Sequence, residues 1–273
     1  MAARIGLREL AGTDLGSHTI SYDDGASILY NLAVGASSTD LDLVYERDLR
    51  PLPTYACGLG LWAVEAAGRL GAYDPLRSLH AAQRLTVHER FPASGRISMS
   101  GSVATVYDKG KGSLVEVEVS SSFFTAKYGI FLPGVGGWGG ERGPSNRAAV
   151  SVDLDKVMTF QTSPNQAALY RLTGDRHPVH IDPEQARSSG FERPILHGLC
   201  TVGIATRLTA ACVHAHPADL HNLHVRFSAP VYPGDRLDIV CGEYEGVVHF
   251  EARVADRTVL SRGRAAFANS GSA

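Results

Sequence analysis

The sequence predicts an α+β protein in which one folding unit occurs twice, each unit being a bent antiparallel sheet wrapped around a long helix. Three observations predict this fold. The chain has 273 residues, of which 44% are hydrophobic, so each half can bury a core of its own. A Gly-rich stretch divides the chain near its middle, and short motifs of the first half recur in the second half in the same order.

Two motifs carry the repeat. "ILYNL" at 28–32 recurs as "ALYRL" at 168–172, and "RPLPTYACGLG" at 50–60 recurs as "RPILHGLCTVG" at 193–203. The longer pair shares residues at equal spacing: Arg50 with Arg193, Pro51 with Pro194, Cys57 with Cys200 and Gly60 with Gly203. Because both motifs keep their order, a duplicated fold explains them better than chance does.

The Gly-rich stretch "LPGVGGWGGERGPSN" separates the two copies. We therefore predict an N-terminal repeat over residues 1–131, a linker over 132–147 and a C-terminal repeat over 148–273. "GVGGWG" has the letters of a dinucleotide-binding motif, but "ERGPSN" follows where that motif requires a helix. A linker or a structured loop is the better interpretation.

Each half has a helical segment followed by β-rich runs. "HGLCTVGIATRLTAACVHAH" (197–216) has apolar residues at helical intervals with small residues between them, which predicts a buried helix. Four β-rich runs follow, separated by turn motifs such as "YPGD" and "YEG". "YACGLGLWAVEAAGRLGAY" begins the same plan in the first half. A bent antiparallel sheet around one helix is the hot-dog fold, so the sequence predicts a tandem, or double, hot-dog fold.

Charge and composition argue against several classes of partner. Lys and Arg (26) nearly balance Asp and Glu (28), so no basic surface for nucleic acid or an anionic membrane is indicated. No run approaches 18 apolar residues, the start "MAARIGLREL" lacks the apolar core of a secretory signal, and the end "ANSGSA" is not a peroxisomal tripeptide. We expect a cytoplasmic protein whose partner is a small molecule or another protein.

The cysteines form no CxxC pair, which argues against a zinc site and a disulfide framework. We expect all of them to be reduced and buried: Cys57, Cys200, Cys212 and Cys241.

The stretch "YRLTGDRHPVHIDP" (170–183) follows no regular period and reads as a rigid loop that enters a helix. Gly174 permits a tight backbone, and Pro178 biases His177 toward an extended conformation. Pro183 suits the first turn of a short helix.

A loop held in this way can aim Asp175 and His180 at one point. A convergent carboxylate and imidazole can activate a water and move a proton to a neighbouring carbon. Two other interpretations stay open at this stage. Asp175 after a glycine is also typical of an Asx turn or an N-cap, and Asp175, His177 and His180 together could bind a metal.

Gly198 stands where the long helix of the second half begins. Free backbone amides and the positive end of the helix dipole meet at such a position, and a glycine lets a ligand approach the backbone closely. These are the elements of an oxyanion hole. The alternative is a glycine required for close packing of the helix against the sheet.

These residues resemble a known family. "YRLTGDRHPVHIDPEQA" followed by "PILHGLCTVG" is similar to the hydratase 2 motif of MaoC-like (R)-specific enoyl-CoA hydratases. The layout in two halves resembles the longer members, such as the hydratase 2 part of peroxisomal multifunctional enzymes type 2. "LYNLAVGA", "YDKGKG" and "GVGGWGG" in the first half also look like that group.

The resemblance implies roles for particular residues. Asp175 and His180 would be the catalytic pair, and the amide of Gly198 the oxyanion hole. The family pattern G-D-x-N-P-x-H has Asn where this sequence has His177, which would take over that residue's part in holding the water or the pair. His177, His197 and Gly174 are then the expected substrate-binding residues.

The resemblance also implies one active site per chain, because the first half lacks the G-D-x-x-P-x-H motif. The first half would be catalytically empty and would make room for a bulky acyl chain. No cofactor or metal is expected, the substrate would be a coenzyme A thioester, and two chains would form a homodimer.

The expected reaction is the reversible hydration of a trans-2-enoyl-CoA to a (3R)-3-hydroxyacyl-CoA with a medium, long or bulky acyl chain. The residues do not decide which member of the pair is the acid and which is the base. Two alternatives stay open: a 3-hydroxyacyl-carrier-protein dehydratase or tailoring dehydratase, and a non-catalytic acyl-thioester-binding subunit in which His177 marks a decayed site.

Overall fold

The structure is a computed structural model that describes residues 6–144 and 152–268. In the first half, the helices are α1 (Asp24–Ala33), α2 (Leu41–Val44), α3 (Tyr55–Leu59) and α4 (Leu61–Arg69). The strands are β1 (Asp14–Tyr22), β2 (Leu79–Val87), β3 (Gly95–Asp108), β4 (Gly112–Ser120) and β5 (Phe124–Pro133). Short 3-10 turns connect several of these elements.

The second half follows the same order of one strand, a group of helices and four strands. Its helices are α5 (Gln166–Tyr170), α6 (Pro183–Ser188) and α7 (Gly198–Thr209). Its strands are β6 (Lys156–Gln161), β7 (Leu220–Phe227), β8 (Arg236–Tyr244), β9 (Val247–Val254) and β10 (Arg257–Phe267).

The ten strands within the described residues form one antiparallel sheet in the order β1-β3-β4-β5-β2-β7-β10-β9-β8-β6. Counted from its own outer edge, each half has the same succession of equivalent strands. The halves join where β2 pairs with β7, from Ala82 opposite Arg226 to Thr86 opposite Asn222. The predicted α+β fold with a repeated unit is therefore confirmed, and the two units share one continuous sheet.

Helix α7 is the central helix of the second half and is buried from Leu199 to Thr206. The sequence predicted a longer helix, to residue 216, but α7 ends at Thr209 and a 3-10 turn over Ala210–Val213 follows. His214 then adopts a left-handed conformation, with φ at 54°. Such a residue ends a helix because its carbonyl leaves the helical direction.

The corresponding helix of the first half is interrupted at Gly60, where α3 gives way to α4. The Tyr128 hydroxyl of β5 donates a 2.8 Å hydrogen bond to the carbonyl of Cys57. A side chain that takes a helical carbonyl in this way kinks the helix. A Cβ at Gly60 would lie 2.3 Å from the same hydroxyl, so only glycine fits there.

The Gly-rich stretch is a structured loop where the structure describes it. The Asp108 carboxylate accepts hydrogen bonds from the amides of Gly137, Gly110 and Gly139, and these bonds lower the pKa of the carboxyl to about 2. Trp138 Nε1 donates to Ser113 Oγ at 2.8 Å. Within 134–144 no helix begins, so the requirement of a dinucleotide motif is not met there. The predicted linker overlaps the end of β5, and part of it lies outside the described residues, so its boundaries stay predictions.

All four cysteines are buried and free, which confirms that prediction. Burial raises the pKa of the Cys57 thiol to about 12. Cys212 and Cys241 lie next to each other, with 2.8 Å between their Sγ atoms. No helix among the described residues has the length and apolar character needed to cross a membrane.

Candidate active site

The segment between α5 and α6 is the rigid loop that the sequence predicted. Gly174 has a φ of 133°, a region that side-chain-bearing residues rarely adopt. His177, before Pro178, is extended with φ −56° and ψ 129°. Helix α6 begins at Pro183, and the Asp182 side chain caps its free amides.

The loop brings Asp175 and His180 together. A carboxylate oxygen of Asp175, a ring nitrogen of His180 and a ring nitrogen of His197 all lie within 4.8 Å of one another. The pair also lies at the junction of the two halves, because His80 of β2 is close enough for the Asp175 charge to act on its pKa.

His180 has a defined tautomer. Its Nδ1 lies 2.9 Å from the carbonyl oxygen of Ile195, and because a carbonyl only accepts, Nδ1 carries the hydrogen. Burial lowers the pKa of His180, an effect that the nearby Asp175 carboxylate opposes. The ring is therefore neutral at pH 7, and Nε2 has a lone pair that can accept a proton.

Asp175 also forms a turn, which was one of the alternative interpretations of its position in the sequence. Its Oδ1 accepts a hydrogen bond from the amide of His177 at 3.2 Å, which is an Asx turn. The residue is partly exposed, so the carboxylate can also reach a ligand. The turn and the acid–base interpretation are compatible, because the turn uses one oxygen and fixes the orientation of the other.

His177 caps the turn that carries His180. It is exposed, and its Nδ1 accepts the amide hydrogen of Val179 at 3.3 Å, at the start of the 3-10 turn Pro178–His180. An Asn side chain can accept the same bond, which explains how His occupies the position where the family pattern has Asn. The ring centroids of His177 and His180 are 6.2 Å apart, and a part of His177 in holding water stays a prediction.

Gly198 is the first residue of α7, as predicted. Its predecessor His197 caps the helix without a side-chain hydrogen bond, and the amide of Thr201 bonds to the His197 carbonyl at 3.2 Å. The amides that precede Thr201 in the first turn lie at the positive end of the helix dipole. A Cβ on Gly198 would lie 2.7 Å from Cε1 of Phe227, which supports the close-packing interpretation, and the oxyanion-hole role stays a prediction.

His197 makes contacts that the sequence analysis did not predict, since the resemblance implied only a substrate-binding role. It is 1% exposed, its Nε2 is 3.1 Å from the backbone oxygen of Asp175, and its ring stacks on His180 with centroids 3.7 Å apart. The signal that could have found it is in the repeat, where the counterpart of His197 in the empty half is Thr54.

Among residues 6–144 and 152–268, the side chains that could together hold a metal ion are those of Asp175, His180 and His197. His177, which the metal alternative of the sequence included, is not part of this group, and its Nδ1 accepts the amide hydrogen of Val179.

The position in the first half that corresponds to Gly198 is occupied by an aromatic residue. Tyr55 stands where the repeat places Gly198, and its ring stacks on Tyr30 with centroids 4.7 Å apart. Tyr22 and Phe91 pack against Tyr55 on other sides. These four rings pack together at the counterpart of Gly198, and accommodation of an acyl chain by this half stays a prediction.

Two family models match the chain. The MaoC like domain matches residues 145–262, and the MFE-2 hydratase 2 N-terminal domain matches residues 20–131.

Several curated proteins are similar over most of the chain. The mouse peroxisomal multifunctional enzyme type 2 is 35% identical over 93% of this chain, which spans 37% of the length of that enzyme. The 3-hydroxyacyl-thioester dehydratase Y of Mycobacterium tuberculosis is 36% identical over 86% of this chain and 87% of its own. The peroxisomal enoyl-CoA hydratase 2 of Arabidopsis thaliana is 33% identical over 88% of this chain and 89% of its own.

Solved structures agree with the fold. A MaoC-like dehydratase from Phytophthora capsici superposes with a TM-score of 0.86 at 28% identity, covering 98% of this chain and 100% of that chain. A Mycobacterium tuberculosis protein described as a double hot-dog fold superposes with a TM-score of 0.59 at 15% identity, covering 96% of this chain and 97% of that chain. The tandem hot-dog fold that the sequence predicted is confirmed.

Proposed function

The chain belongs to the MaoC-like family of hydratases and dehydratases, and we propose that it reversibly hydrates trans-2-enoyl-CoA to (3R)-3-hydroxyacyl-CoA. The observation that carries this proposal is the placement of the Asp175 carboxylate and the neutral His180 ring on one rigid loop. Relatives named as enoyl-CoA hydratases and as a 3-hydroxyacyl-thioester dehydratase support it, since the two names describe one reaction in opposite directions.

The proton transfers follow from the tautomer of His180. Its Nε2 takes a proton from a water that Asp175 orients, while the water oxygen forms its bond to C3 of the enoyl group. The His180 imidazolium formed in this way then gives a proton to C2 on the same face of the enoyl group. The elements of one water molecule are thus added, and the enzyme is unchanged. Asp175 stabilises the imidazolium during the step.

The first turn of α7 supplies the electrophilic contribution. As oxygen bonds to C3, negative charge builds on the thioester carbonyl oxygen, and the amide of Gly198 donates a hydrogen bond to it. An amide of this kind is aligned before the reaction starts, and removal of such a donor costs about 10²–10³ in rate.

The test is a hydration assay followed by the loss of enoyl-thioester absorbance, with the product analysed by dehydrogenases specific for the 3R and 3S alcohols. We expect the 3R product. A 3S product, or no turnover with short, medium, long or branched acyl chains, would refute the proposal.

A carrier-protein thioester is the second candidate substrate, since the Mycobacterium tuberculosis relative is named for a thioester without a stated carrier. Turnover of CoA and carrier-protein thioesters with matched acyl chains separates the two. We propose the CoA thioester with a medium, long or bulky chain, and a higher kcat/KM for the carrier-protein form would reverse this choice.

We propose further that catalysis requires no cofactor or metal, because the water addition needs only proton transfer and a hydrogen-bond donor. Dialysis against a chelator is then expected to leave turnover unchanged. A loss of turnover that Zn²⁺ restores would instead assign a metal to the cluster of Asp175, His180 and His197.

A homodimer and a cytoplasmic location complete the proposal. We propose that a second copy of the chain covers the apolar side chains of Leu172 and Ile181, which are 53% and 44% exposed. Light scattering on the purified chain measures the mass directly.

Because the mouse and Arabidopsis relatives are named peroxisomal, imaging of the tagged chain in its own cells tests the location.

A further inference from the structure

His197 contacts both members of the proposed acid–base pair, Asp175 and His180. Its Nε2 is 3.1 Å from the backbone oxygen of Asp175, and its ring lies 3.7 Å from that of His180 at an angle of 26°. The side chain is 1% exposed, and its ring also packs against the ring of Tyr170, with 4.8 Å between the two centroids. His197 is also the residue immediately before Gly198 and is the N-cap of α7.

The hydrogen bond has one possible direction. The Asp175 carbonyl can only accept, so His197 Nε2 carries the hydrogen. Among the described residues no hydrogen-bond partner reaches His197 Nδ1, and burial lowers the pKa of His197 below its usual value. The ring is therefore neutral and serves as a fixed donor to the loop.

The charges around the ring agree with a neutral His197. The proton on a charged His180 and the Arg171 guanidinium disfavour a charged His197, while the Asp175 carboxylate favours one. Burial outweighs the carboxylate. A neutral ring stacked on His180 adds no positive charge next to the group that accepts the proton.

The repeat provides an internal comparison. Thr54 is the counterpart of His197 in the first half, and its side chain is 4% exposed. That half lacks the acid–base loop, which is the segment that carries Asp175 and His180. A threonine at this place is sufficient for the fold of that half. His197 is therefore required by the loop of the second half rather than by the repeated fold.

We infer that His197 is a positioning residue, which holds the backbone of Asp175 by a hydrogen bond and the ring of His180 by stacking, so that the pair faces the first turn of α7. This inference rests on the proposed function. It differs from the substrate-binding role that the sequence analysis expected for His197, because the ring is buried and its donor is used within the protein.

Two substitutions separate the hydrogen bond from the ring. His197→Phe keeps a flat ring for stacking but removes the donor, whereas His197→Gln keeps an N–H near the position of Nε2. Since a displacement of about 1 Å in a reacting group can cost about 10² in rate, we expect His197→Phe to lower kcat by about 10²-fold with KM within about threefold. We expect His197→Gln to stay within about tenfold of the wild-type kcat.

Thr54→Val is the matched control, because it changes the equivalent buried position in the half without the loop. Its kcat is expected to equal that of the wild-type chain. Hydrogen exchange of the amides of His177 and Val179 gives a second measurement that requires no turnover. Exchange is expected to accelerate in His197→Phe and to stay slow in His197→Gln and Thr54→Val.

Each outcome decides the inference. A wild-type kcat in His197→Phe would overturn it, and so would a His197→Gln variant as inactive as His180→Ala, because the ring would then take part in the chemistry itself. If the wild-type chain hydrates no enoyl thioester, the proposed function fails, but the exchange measurement still decides whether His197 holds the loop.

Discussion

His180 Nδ1 and the carbonyl oxygen of Ile195 lie 2.9 Å apart and connect the acid–base loop to the segment that leads into α7. This bond determines the tautomer of His180 and points Nε2 away from Ile195. It also ties the orientation of the imidazole to the start of the helix, two residues before His197. The proposed base, His180, and the proposed oxyanion donor, Gly198, are thus positioned by one short stretch of backbone.

Asp175→Asn and His180→Ala are each expected to lower kcat by about 10²–10⁴-fold, because each removes one part of the proton transfer. Asp175→Asn keeps an oxygen that can accept the His177 amide, so the Asx turn survives. The measurement is the loss of enoyl-thioester absorbance, with thermal unfolding as the check on folding. Normal turnover in either variant would exclude that residue from the proposed role.

The acid limb of the pH profile of kcat/KM is expected below the ordinary histidine pKa of about 6.5. Burial lowers the pKa of His180, so the neutral and active form persists as the pH falls through 6.5 and is lost only at lower pH. Asp175 favours the charged ring, so Asp175→Asn should lower the His180 pKa further, measured by NMR titration of the ring. A limb above 6.5, or an upward shift in the variant, contradicts this electrostatic account.

Local patterns sufficed to predict the elements whose causes are local. The start of α7 at Gly198 and the rigidity around Gly174 and Pro178 follow from residues within one turn of each other. The repeat of the motifs also predicted that both halves contain the same unit, a helical segment followed by β-strands.

The features that could not be predicted depend on contacts between distant residues. The break at Gly60 is caused by Tyr128, which lies 71 positions after the carbonyl that it contacts at Cys57. The contact of His197 with the Asp175 backbone spans 22 positions. No spacing rule relates such pairs, because the loop and the sheet bring them together only in the folded chain.

His177→Asn is expected to leave the free energy of unfolding within about 0.5 kcal/mol of the wild-type value, because Asn can cap the amide of Val179 as His177 does. His177→Ala loses the cap and is expected to cost about 0.5–2 kcal/mol. Denaturant unfolding measures both, and His221→Ala, at an exposed histidine of β7, is the control for the substitution itself.

The kinetic result of His177→Asn tests the alternative of a decayed site. If the wild-type chain binds acyl thioesters without turnover and His177→Asn turns them over, His177 is the lesion and the chain is a binding subunit. If the wild-type chain is active and the variant stays within a few-fold, His177 performs the structural work of the family Asn.

Gly198→Ala is expected to destabilise the chain by about 1–3 kcal/mol, the usual cost of adding volume to a packed position. The added Cβ would lie 2.7 Å from Cε1 of Phe227, so the ring or the first turn of α7 must move. Gly25→Ala, in the first turn of α1, is the matched control, since a Cβ there meets nothing nearer than 3.4 Å.

The Phe227 ring can be tested as the cause of that cost by a double-mutant cycle. Phe227→Leu removes the ring, so the double variant Gly198→Ala/Phe227→Leu should lose less stability than the sum of its two single variants. Additive losses would mean that the ring does not oppose the Cβ. If Gly198→Ala instead keeps the stability of the wild-type chain while kcat/KM falls, the glycine is required for the approach of a ligand to the amide.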